Sequence, residues 1–328
     1  MRAFQISEAD GVLDCAVTDV ELVQLSPSDI LVQVDFSGVN YKDALVASSP
    51  SRVRRVAKVI GGVDAAGTVV VSSSPDVRVG TRVAVHGGDL GVARDGGFAE
   101  FVSVPAHFLS ALPSSISTRD AMVIGTAGFT AMASILALEA HGLDADAQVL
   151  VTGATGGVGS LAVTLLAARG YGPVASTGSP NESQWLRERG AVEVIGRDEI
   201  SDKPDRVLGS ERWAGAIDCI GGDTLVQILR SLRYGASVAA SGLVAGADVP
   251  TTVYPFITRA VNLLGIDAVE APASTRDRVW AALGALGDEL DFAPLIDREV
   301  QLEGLPDALD AIKHSATRGR ILVNPTPG

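Results

Sequence analysis

Cysteine and histidine are scarce in this sequence of 328 residues. The cysteines are Cys15 and Cys219, too few for a disulfide framework and too few for a structural zinc site of four cysteines. The four histidines show no paired spacing of the HExxH kind that typifies a catalytic zinc helix. We therefore predict a protein without a bound metal.

Positive charge is also in short supply, since 26 Lys and Arg residues stand against 39 Asp and Glu residues, giving a formal net charge of −13. Such a charge repels phosphate backbones and anionic membrane surfaces, so we expect neither nucleic acid nor a membrane as a partner. The N-terminal segment MRAFQISEAD is charged and lacks the apolar stretch of a signal peptide. The sequence predicts a soluble cytoplasmic protein, and its length predicts two domains.

The first third of the chain has the alternating pattern of β-strands. Residues 30–36 and 81–85 alternate apolar and polar side chains, and residues 66–71 form a short apolar run. Glycine pairs such as Gly61-Gly62 and Gly96-Gly97 mark turns between these runs. The pattern predicts a compact antiparallel barrel or sandwich.

From about Met122 the pattern changes to alternating strands and helices. A buried-strand run at 148–152 leads through a glycine turn into a helical stretch at 157–169. Further strands are predicted at 173–177, 192–195, 214–218, 236–240 and 262–266, and further helices at 182–189, 224–233 and 274–289. This alternation predicts a doubly wound parallel sheet in an α/β domain. The tail returns to short strand-like pieces, so we predict domains at 1–121, 122–290 and 291–328, the last rejoining the first.

The strongest local motif is the glycine turn after the strand at 148–152. Gly153, Gly156 and Gly159 allow a tight turn, close approach of backbone N–H groups to a pyrophosphate, and tight packing of helix on strand. The following helix N-terminus favours a bound anion. A mere tight turn is the alternative interpretation, but the position at the first β/α junction favours a dinucleotide site.

The end of the second strand in this domain indicates which dinucleotide binds. A carboxylate there would accept hydrogen bonds from the ribose of NAD and would repel a 2′-phosphate. The segment 176–181 reads STGSPN and has no carboxylate, while Ser176, Thr177 and Ser179 can donate hydrogen bonds. We therefore predict NADPH over NADH, with a solvated loop as the alternative meaning of these hydroxyls.

Motifs along nearly the whole chain resemble those of the medium-chain dehydrogenase/reductase superfamily. Within it they are most similar to the zinc-free, quinone oxidoreductase-like branch that contains acryloyl-CoA reductases and YhdH-type quinone oxidoreductases. The matching segments are GVNYKDA at 38–44, GVDAAGT at 62–68, GGFAE at 96–100, MVIGTAGFTA at 122–131, 152–160, DCIGG at 218–222, 240–243, 250–256, 264–267 and 318–320.

The resemblance implies a GroES-like catalytic domain split by a Rossmann domain, and homodimers. It places the catalytic residues at Asn40, Tyr41, Lys42 and Asp43. It also implies coenzyme contacts from a larger set: Thr126, Thr130, Gly153, Gly156, Gly157, Val158, Gly159, Ser176, Thr177, Ser179, Ile220, Ser241, Gly242, Leu243, Ile266 and Arg320.

This chain departs from the branch at three places. Ser179 stands where relatives often carry an arginine, so affinity for a 2′-phosphate is weaker or comes from Arg187 or another neighbour. Arg94-Asp95 replaces an aromatic residue before the GGFAE segment, which alters the substrate pocket. The stretch 48–58 is more basic than its surroundings and lacks a usual proline.

The implied chemistry is reduction of an activated carbon–carbon double bond, which builds negative charge on a carbonyl oxygen. Asn40 and Lys42 could donate hydrogen bonds to that enolate, Tyr41 could supply a proton, and Asp43 would orient its neighbours. A packed aromatic with a satisfied hydroxyl is the alternative for Tyr41, and a small buried side chain is the expected role of Cys219.

The basic stretch offers a further hypothesis about the substrate. Arg52, Arg54, Arg55 and Lys58 could hold the phosphates of a coenzyme A ester, although a solvated basic loop is the commoner meaning of such a run. Candidate substrate contacts also include Arg94 and Tyr254. A short enoyl thioester such as acryloyl-CoA is the favoured substrate. The alternatives are a quinone or free enal reductase and, from another class, a non-catalytic NADPH-binding regulatory protein.

Overall fold

The computed structural model describes residues 1–21, 29–201, 207–287 and 290–326. Its strands, in chain order, are β1 Arg2–Ala9, β2 Val12–Asp19, β3 Asp29–Val39, β4 Lys58–Ile60, β5 Asp64–Val71, β6 Arg82–His86, β7 Phe101–Pro105, β8 Leu109–Ala111, β9 Gln148–Val151, β10 Gly172–Thr177, β11 Glu193–Gly196, β12 Trp213–Asp218, β13 Leu232–Ala240, β14 Asn262–Gly265, β15 Ile296–Gln301 and β16 Arg320–Asn324.

The α-helices are α1 Tyr41–Val46, α2 Thr118–Ala140, α3 Gly157–Ala168, α4 Ser183–Glu188, α5 Asp198–Ser201, α6 Gly222–Ser231, α7 Tyr254–Arg259, α8 Ala273–Ala285 and α9 Leu305–Lys313. Short 3₁₀ turns lie at Ala106–Phe108, Pro180–Glu182, Ala293–Leu295 and Leu302–Gly304.

The chain divides into two compact units. The first contains Met1–Thr126 and Ala268–Gly328, and the second contains Ala127–Asp267. The sequence predicted the second boundary at residue 290, but the segment with α8 belongs to the first unit because α8 packs against β8. The helix predicted at 274–289 ends at Ala285, and residues 288–289 lie outside the described ranges.

The first unit is built on β-sheets, as its alternating sequence predicts. One sheet has the order β15-β16-β3-β5-β6-β8, with β7 also paired to β3, and a smaller sheet has the order β2-β1-β4. The pairs are antiparallel except β15 with β16, which α9 connects. Alternate side chains of β3 such as Ile30, Val32 and Val34 pack into one apolar cluster, which fixes the register of this central strand.

The second unit contains the predicted doubly wound sheet. Its parallel strands have the order β11-β10-β9-β12-β13-β14, and the chain reverses its direction of travel across the sheet at β9, which pairs with both β10 and β12. Ligands of such sheets bind beyond the carboxyl ends of the strands at this reversal. The apolar run of α3 explains its place against the sheet, since Leu161, Val163 and Leu165 are buried.

The helix α2 crosses the division between the units and is interrupted there. Gly125 has φ 48° and ψ −158°, outside the helical region and open to glycine alone without strain. In the described ranges, α2 is the one helix long and apolar enough to cross a membrane, and 78% of its most apolar window is buried inside the protein. That burial is typical of a core helix.

Candidate functional site

The glycine turn of the second unit connects β9 to α3. Gly153 has φ +59°, which glycine adopts without strain, and Gly156 caps α3. A β-carbon at Gly159 would come within 2.3 Å of the Gly153 carbonyl oxygen, so helix and turn pack there without room for a side chain. A β-carbon at Gly156 would meet only that carbonyl oxygen, at 3.3 Å. The turn therefore leaves an open cradle at a helix N-terminus, continued by Gly157 and Val158, with the geometry that a pyrophosphate site requires.

A buried carboxylate joins this turn to the next strand end. Asp218, at the end of β12, accepts a hydrogen bond from Thr152 Oγ1 at 2.7 Å and one from the backbone N–H of Gly221 at 2.8 Å. Burial raises the pKa of the Asp218 carboxyl above its usual range, although these hydrogen bonds lower it. The contact brings Ile220 beside Gly153, where its Cδ1 lies 3.1 Å from an ideal β-carbon.

The remaining predicted coenzyme residues of this unit gather at the carboxyl ends of neighbouring strands: Ser241, Gly242 and Leu243 after β13, and Ile266 after β14. Gly242 packs on Cys219 so closely that a β-carbon would lie 1.9 Å from its carbonyl oxygen. Desolvation and the neighbouring Asp218 carboxylate raise the pKa of the Cys219 thiol, which agrees with an unreactive side chain.

Arg197, which was not predicted from the sequence as a site residue, lies against Gly178, the residue that follows β10. Ser176 and Thr177 are buried, and Thr177 Oγ1 accepts the backbone N–H of Ser179, which is exposed. The guanidinium of Arg197 lies against Gly178, and the Arg197 backbone N–H donates to the Thr177 carbonyl at 3.2 Å. Arg197 follows β11, so only the pairing of β11 with β10 brings it to this place.

The first unit holds the turn of residues 40–43. Asp43 accepts the backbone N–H groups of Asn40 at 2.8 Å and Val63 at 2.9 Å. Burial raises the pKa of the Asp43 carboxyl to about 7, against the effect of these two hydrogen bonds. Asp43 thus fixes the start of α1. Tyr41 is 41% exposed and Lys42 is half-buried, so both side chains reach the surface of the unit.

Asn40 faces inward, which corrects its predicted contact with an enolate. Its Nδ2 donates to Asp64 Oδ2 at 2.8 Å and to the Gly38 carbonyl at 3.2 Å, so both N–H groups of the amide have partners within the unit. Its Oδ1 accepts from Arg320 Nη1 at 3.2 Å. We therefore assign Asn40 a supporting role beneath Tyr41.

Arg320 also faces inward, which corrects its predicted contact with the coenzyme. Its residue is 2% exposed, and its guanidinium donates to the carbonyls of Val123 and Val39 and lies 3.6 Å from Asp64. Asp64 in turn accepts the backbone N–H and the hydroxyl of Thr126. Asp64 belongs to the GVDAAGT motif, but its place at the centre of this network was not predicted from the sequence. Thr130 is buried in the second unit, one helical turn after Thr126.

The four cations predicted to hold substrate phosphates differ in exposure and in their partners within the protein. Arg54 pairs with Glu8 and donates to the Val46 carbonyl at 2.7 Å, so it does not act as a free surface cation, contrary to the prediction. Arg52, Arg55 and Lys58 are exposed. Two further candidates were predicted: Arg94, which lies near Asp29, Asp89 and the ring of Phe108, and Tyr254, which begins α7 in the second unit and is 50% exposed.

A second buried cluster lies at the end of β6. His86 is fully buried, and Arg276 from α8 donates to its carbonyl at 2.9 Å. Burial and, to a smaller extent, the neighbouring Arg276 guanidinium lower the pKa of the His86 imidazole to about 4. The imidazole is therefore neutral at physiological pH.

The described ranges contain no group of three or more His, Cys, Asp or Glu side chains placed to hold a metal ion. Asp64 is the most enclosed carboxylate near the 40–43 turn, but Arg320 lies beside it and hydrogen-bond donors surround it. A divalent cation would meet a guanidinium there, so these residues do not fit a catalytic zinc.

Comparison with known proteins agrees with this architecture. Residues 26–114 match the alcohol dehydrogenase GroES-like domain, and residues 157–285 match the family described as zinc-binding dehydrogenase. A Bacillus subtilis protein named as a quinone oxidoreductase, YhfP, is 44% identical over 98% of both chains. The acrylyl-CoA reductase AcuI of Ruegeria pomeroyi is 42% identical over 97% of this chain and 96% of its own.

Solved structures give the same result. The yhdH oxidoreductase of Salmonella enterica, in complex with NADP, superimposes with a TM-score of 0.95 at 40% identity and covers 99% of this chain and 100% of its own. The yhfP protein of Bacillus subtilis with NAD bound also has a TM-score of 0.95, at 43% identity over 98% of both chains. The chain belongs to the medium-chain dehydrogenase/reductase superfamily of NAD(P)-dependent oxidoreductases.

Proposed function

We propose that this protein is a zinc-independent, NADPH-dependent reductase of an activated carbon–carbon double bond, with a short enoyl thioester such as acryloyl-CoA as substrate. The observation that carries the proposal is the 40–43 turn, in which Asp43 and Asn40 face inward and leave Tyr41 and Lys42 for a substrate. Such a reduction needs a proton source and a hydrogen-bond donor beside the reacting carbonyl, and a phenol and an ammonium can fill these two roles.

The roles of the residues follow from the reaction. NADPH, when bound, supplies the hydride. Lys42 donates a hydrogen bond to the carbonyl oxygen as negative charge builds there, and the Tyr41 hydroxyl supplies the proton that completes the saturated product. Asp43 and Asn40 fix the backbone turn from which these two side chains extend. Donors that are already oriented need no reorganisation during the reaction, which is the main source of this kind of catalysis.

NADPH is favoured over NADH by charges at the end of β10. The segment has no carboxylate, and the guanidinium of Arg197 lies on Gly178. A guanidinium is a strong partner for a 2′-phosphate, and Arg197 can thus replace the arginine that the sequence lacks at position 179. One relative was solved with NADP and another with NAD, and fluorescence titration with both coenzymes measures the preference of this chain.

An enoyl thioester of coenzyme A is favoured by the exposed cations Arg52, Arg55 and Lys58, which stand out in a protein of net charge −13. Clustered cations bind phosphates, and coenzyme A carries several. The relative named as an acrylyl-CoA reductase gives independent support. Reduction of a quinone or a free enal is the second candidate, and the relative named as a quinone oxidoreductase favours it.

A substrate panel tests the proposal. Purified protein is assayed by NADPH oxidation with acryloyl-CoA, crotonyl-CoA, free enals and quinones, and its metal content is measured by elemental analysis. We expect the highest kcat/KM with acryloyl-CoA and less than stoichiometric zinc. Preference for a quinone or free enal would support the second candidate. NADPH binding without turnover of any acceptor would support a non-catalytic regulatory protein, and one zinc per chain would contradict zinc independence.

We also propose a homodimer, formed by the second unit. Its edge strand β14 pairs with β13 alone among the described strands, and Leu263 on this strand is 41% exposed. Ile257 of α7 is 72% exposed in the same unit. An apolar sheet edge can pair with a second copy. Light scattering should give twice the chain mass, and Leu263→Lys should reduce it to one chain. A cytoplasmic location, and the absence of nucleic-acid and membrane partners, remain predictions from the charge.

A further inference from the structure

The helix α2 is interrupted at Gly125. The two side chains of one buried ion pair form hydrogen bonds with backbone groups on either side of this interruption. We infer that Asp64 and Arg320 form a clamp that positions Thr126 and the Asn40–Tyr41 turn for turnover, so that both are positioning residues of the reaction. The inference rests on the proposed function, because it assigns the clamp to the step in which Tyr41 acts.

The break leaves backbone groups of α2 without their helical partners. Arg320 Nε donates to the carbonyl of Val123, before the break, at 3.0 Å. Asp64 Oδ2 accepts the N–H of Thr126, after the break, at 2.9 Å. A cation at the end of one helical segment and an anion at the start of the next are the arrangement that helix dipoles favour. The ion pair therefore provides a partner for one carbonyl before the break and for one N–H group after it.

Two glycines pack closely against the Asp64–Arg320 pair. A β-carbon at Gly125 would lie 2.5 Å from Asp64 Oδ2 and 2.9 Å from Arg320 Nη2, and one at Gly38 would lie 2.8 Å from the same Nη2. Glycines thus line the pair on two sides and leave no room for a side chain. The pair has the character of a fixed support, because a ligand site would need open space beside the charges.

The same pair fixes the residue before Tyr41. Asp64 accepts from the Asn40 amide nitrogen, while Arg320 donates to the Asn40 amide oxygen and to the Val39 carbonyl. An amide held by an anion on one side and a cation on the other has one favoured orientation. A flip of the amide would turn its N–H groups toward the guanidinium and its oxygen toward the carboxylate. Thr126 and the start of α1 are therefore fixed by one pair of charges.

The clamp and the pyrophosphate cradle belong to different parts of the chain. All clamp residues lie in the first unit, whereas the glycine turn lies in the second. Weakening the clamp should therefore reduce turnover and leave coenzyme affinity nearly intact. General structural damage would instead reduce both, so the ratio of the two effects separates positioning from stability.

The test uses Asp64→Asn, which keeps the shape of the side chain and removes its charge, and Arg320→Lys, which keeps the charge and removes the forked donors. The matched control is Arg276→Lys, a buried arginine of the same unit that also donates to backbone carbonyls. We expect Asp64→Asn and Arg320→Lys to lower kcat by about 10- to 100-fold, the effect of small misplacements at a reacting centre, with NADPH Kd changed by less than about 3-fold. Arg276→Lys should keep kcat.

A second measurement does not depend on activity. Hydrogen exchange of the Thr126 amide should accelerate in Asp64→Asn and remain as in wild type in Arg276→Lys. Wild-type kcat in both clamp variants, parallel loss of kcat and NADPH affinity, or unchanged exchange at Thr126 would each overturn the clamp. If Asp64→Asn does not fold, Arg320→Lys decides the question. A wild-type protein that turns over no acceptor would instead overturn the proposed function, while the exchange measurement would still decide whether the clamp exists.

Discussion

The guanidinium of Arg197 packs on the backbone of Gly178, so closely that a β-carbon at position 178 would come within 1.9 Å of one of its nitrogens. This contact places a cation where the sequence has only Ser179 and no arginine. Arg197→Met should keep much of the packing and remove the charge. We expect the Kd for NADPH to rise about 10-fold or more, the loss of roughly one charged hydrogen bond, while the Kd for NADH stays unchanged.

The natural control for Arg197 is Arg187, a cation of α4 that the sequence also offered as a partner of the 2′-phosphate. Arg187→Met should leave the ratio of NADPH to NADH affinity at its wild-type value in fluorescence titrations. If instead Arg187→Met lowers that ratio and Arg197→Met does not, the phosphate partner is on α4.

Two glycines of the turn, Gly156 and Gly159, should respond differently to replacement by valine. Gly156 has extended backbone angles and its β-carbon would meet a single atom at 3.3 Å, so Gly156→Val should fold and lose NADPH binding, because the side chain fills the space of the pyrophosphate. Gly159→Val should not fold, since its β-carbon would lie 2.3 Å from a carbonyl oxygen. Circular dichroism and calorimetry separate the two outcomes. Unchanged NADPH affinity in folded Gly156→Val would show that the phosphates bind elsewhere.

Much of the second unit could be predicted from the sequence, because runs of apolar strand residues and the glycine spacing are local signals. The strands at 173–177 and 214–218 and the helix after the turn are confirmed. The strand order is also the one expected for a doubly wound sheet.

The partners of individual charged side chains could not be predicted in this way. Arg54 was predicted to contact the substrate and Arg320 the coenzyme, yet Glu8 and Asp64, which pair with them, lie far away in the sequence. Arg197 reaches Gly178 only through the pairing of two strands. Burial of a charge depends on such tertiary contacts, which neither composition nor periodicity contains.

The buried imidazole of His86 should make stability fall on the acid side. Its pKa is lowered from 6.5 to about 4 in the fold, by burial and by Arg276, with Asp64 acting in the opposite direction. Above pH 6.5 both folded and unfolded states are neutral at this group. Between pH 6.5 and 4 the unfolded state binds a proton that the folded state does not, so stability decreases as the pH falls.

Because of His86, the free energy of unfolding should be about 2 kcal/mol lower at pH 5 than at pH 7.5, since each pH unit below 6.5 contributes ~1.4 kcal/mol. Guanidinium chloride unfolding of wild type and His86→Gln at both pH values measures it, because the shared carboxylates cancel in the comparison. The variant should lose about 2 kcal/mol less than wild type between the two pH values. Equal losses would show that His86 does not remain neutral in the fold.

The exposed cations near residues 52–58 should affect the binding of substrates that carry the phosphates of coenzyme A. Because Arg54 pairs with Glu8, we expect the effect from the exposed cations Arg52, Arg55 and Lys58. The double variant Arg52→Ala/Arg55→Ala should raise KM for acryloyl-CoA by about 10-fold, and KM for a small free enal should not change, since only the ester carries phosphates. Arg78→Ala, an exposed arginine on the β5–β6 connection, is the control. Equal changes for ester and enal would contradict a phosphate contact.

Tyr41 separates a working reductase from a protein that only binds the coenzyme. Its neighbours Asn40 and Asp43 have their polar groups directed inward, whereas Tyr41 itself is 41% exposed at the start of α1. Tyr41→Phe keeps the ring and removes the proton. Turnover should fall by roughly 10²- to 10⁴-fold, the range for a lost general acid, while NADPH Kd barely changes.

Tyr234→Phe, at a tyrosine that is 73% exposed in the second unit, should keep wild-type turnover. Wild-type turnover in Tyr41→Phe would assign the proton to Lys42 or to water, and Lys42→Met would then decide between them, because only the Lys42 pathway loses its donor when the ammonium is removed.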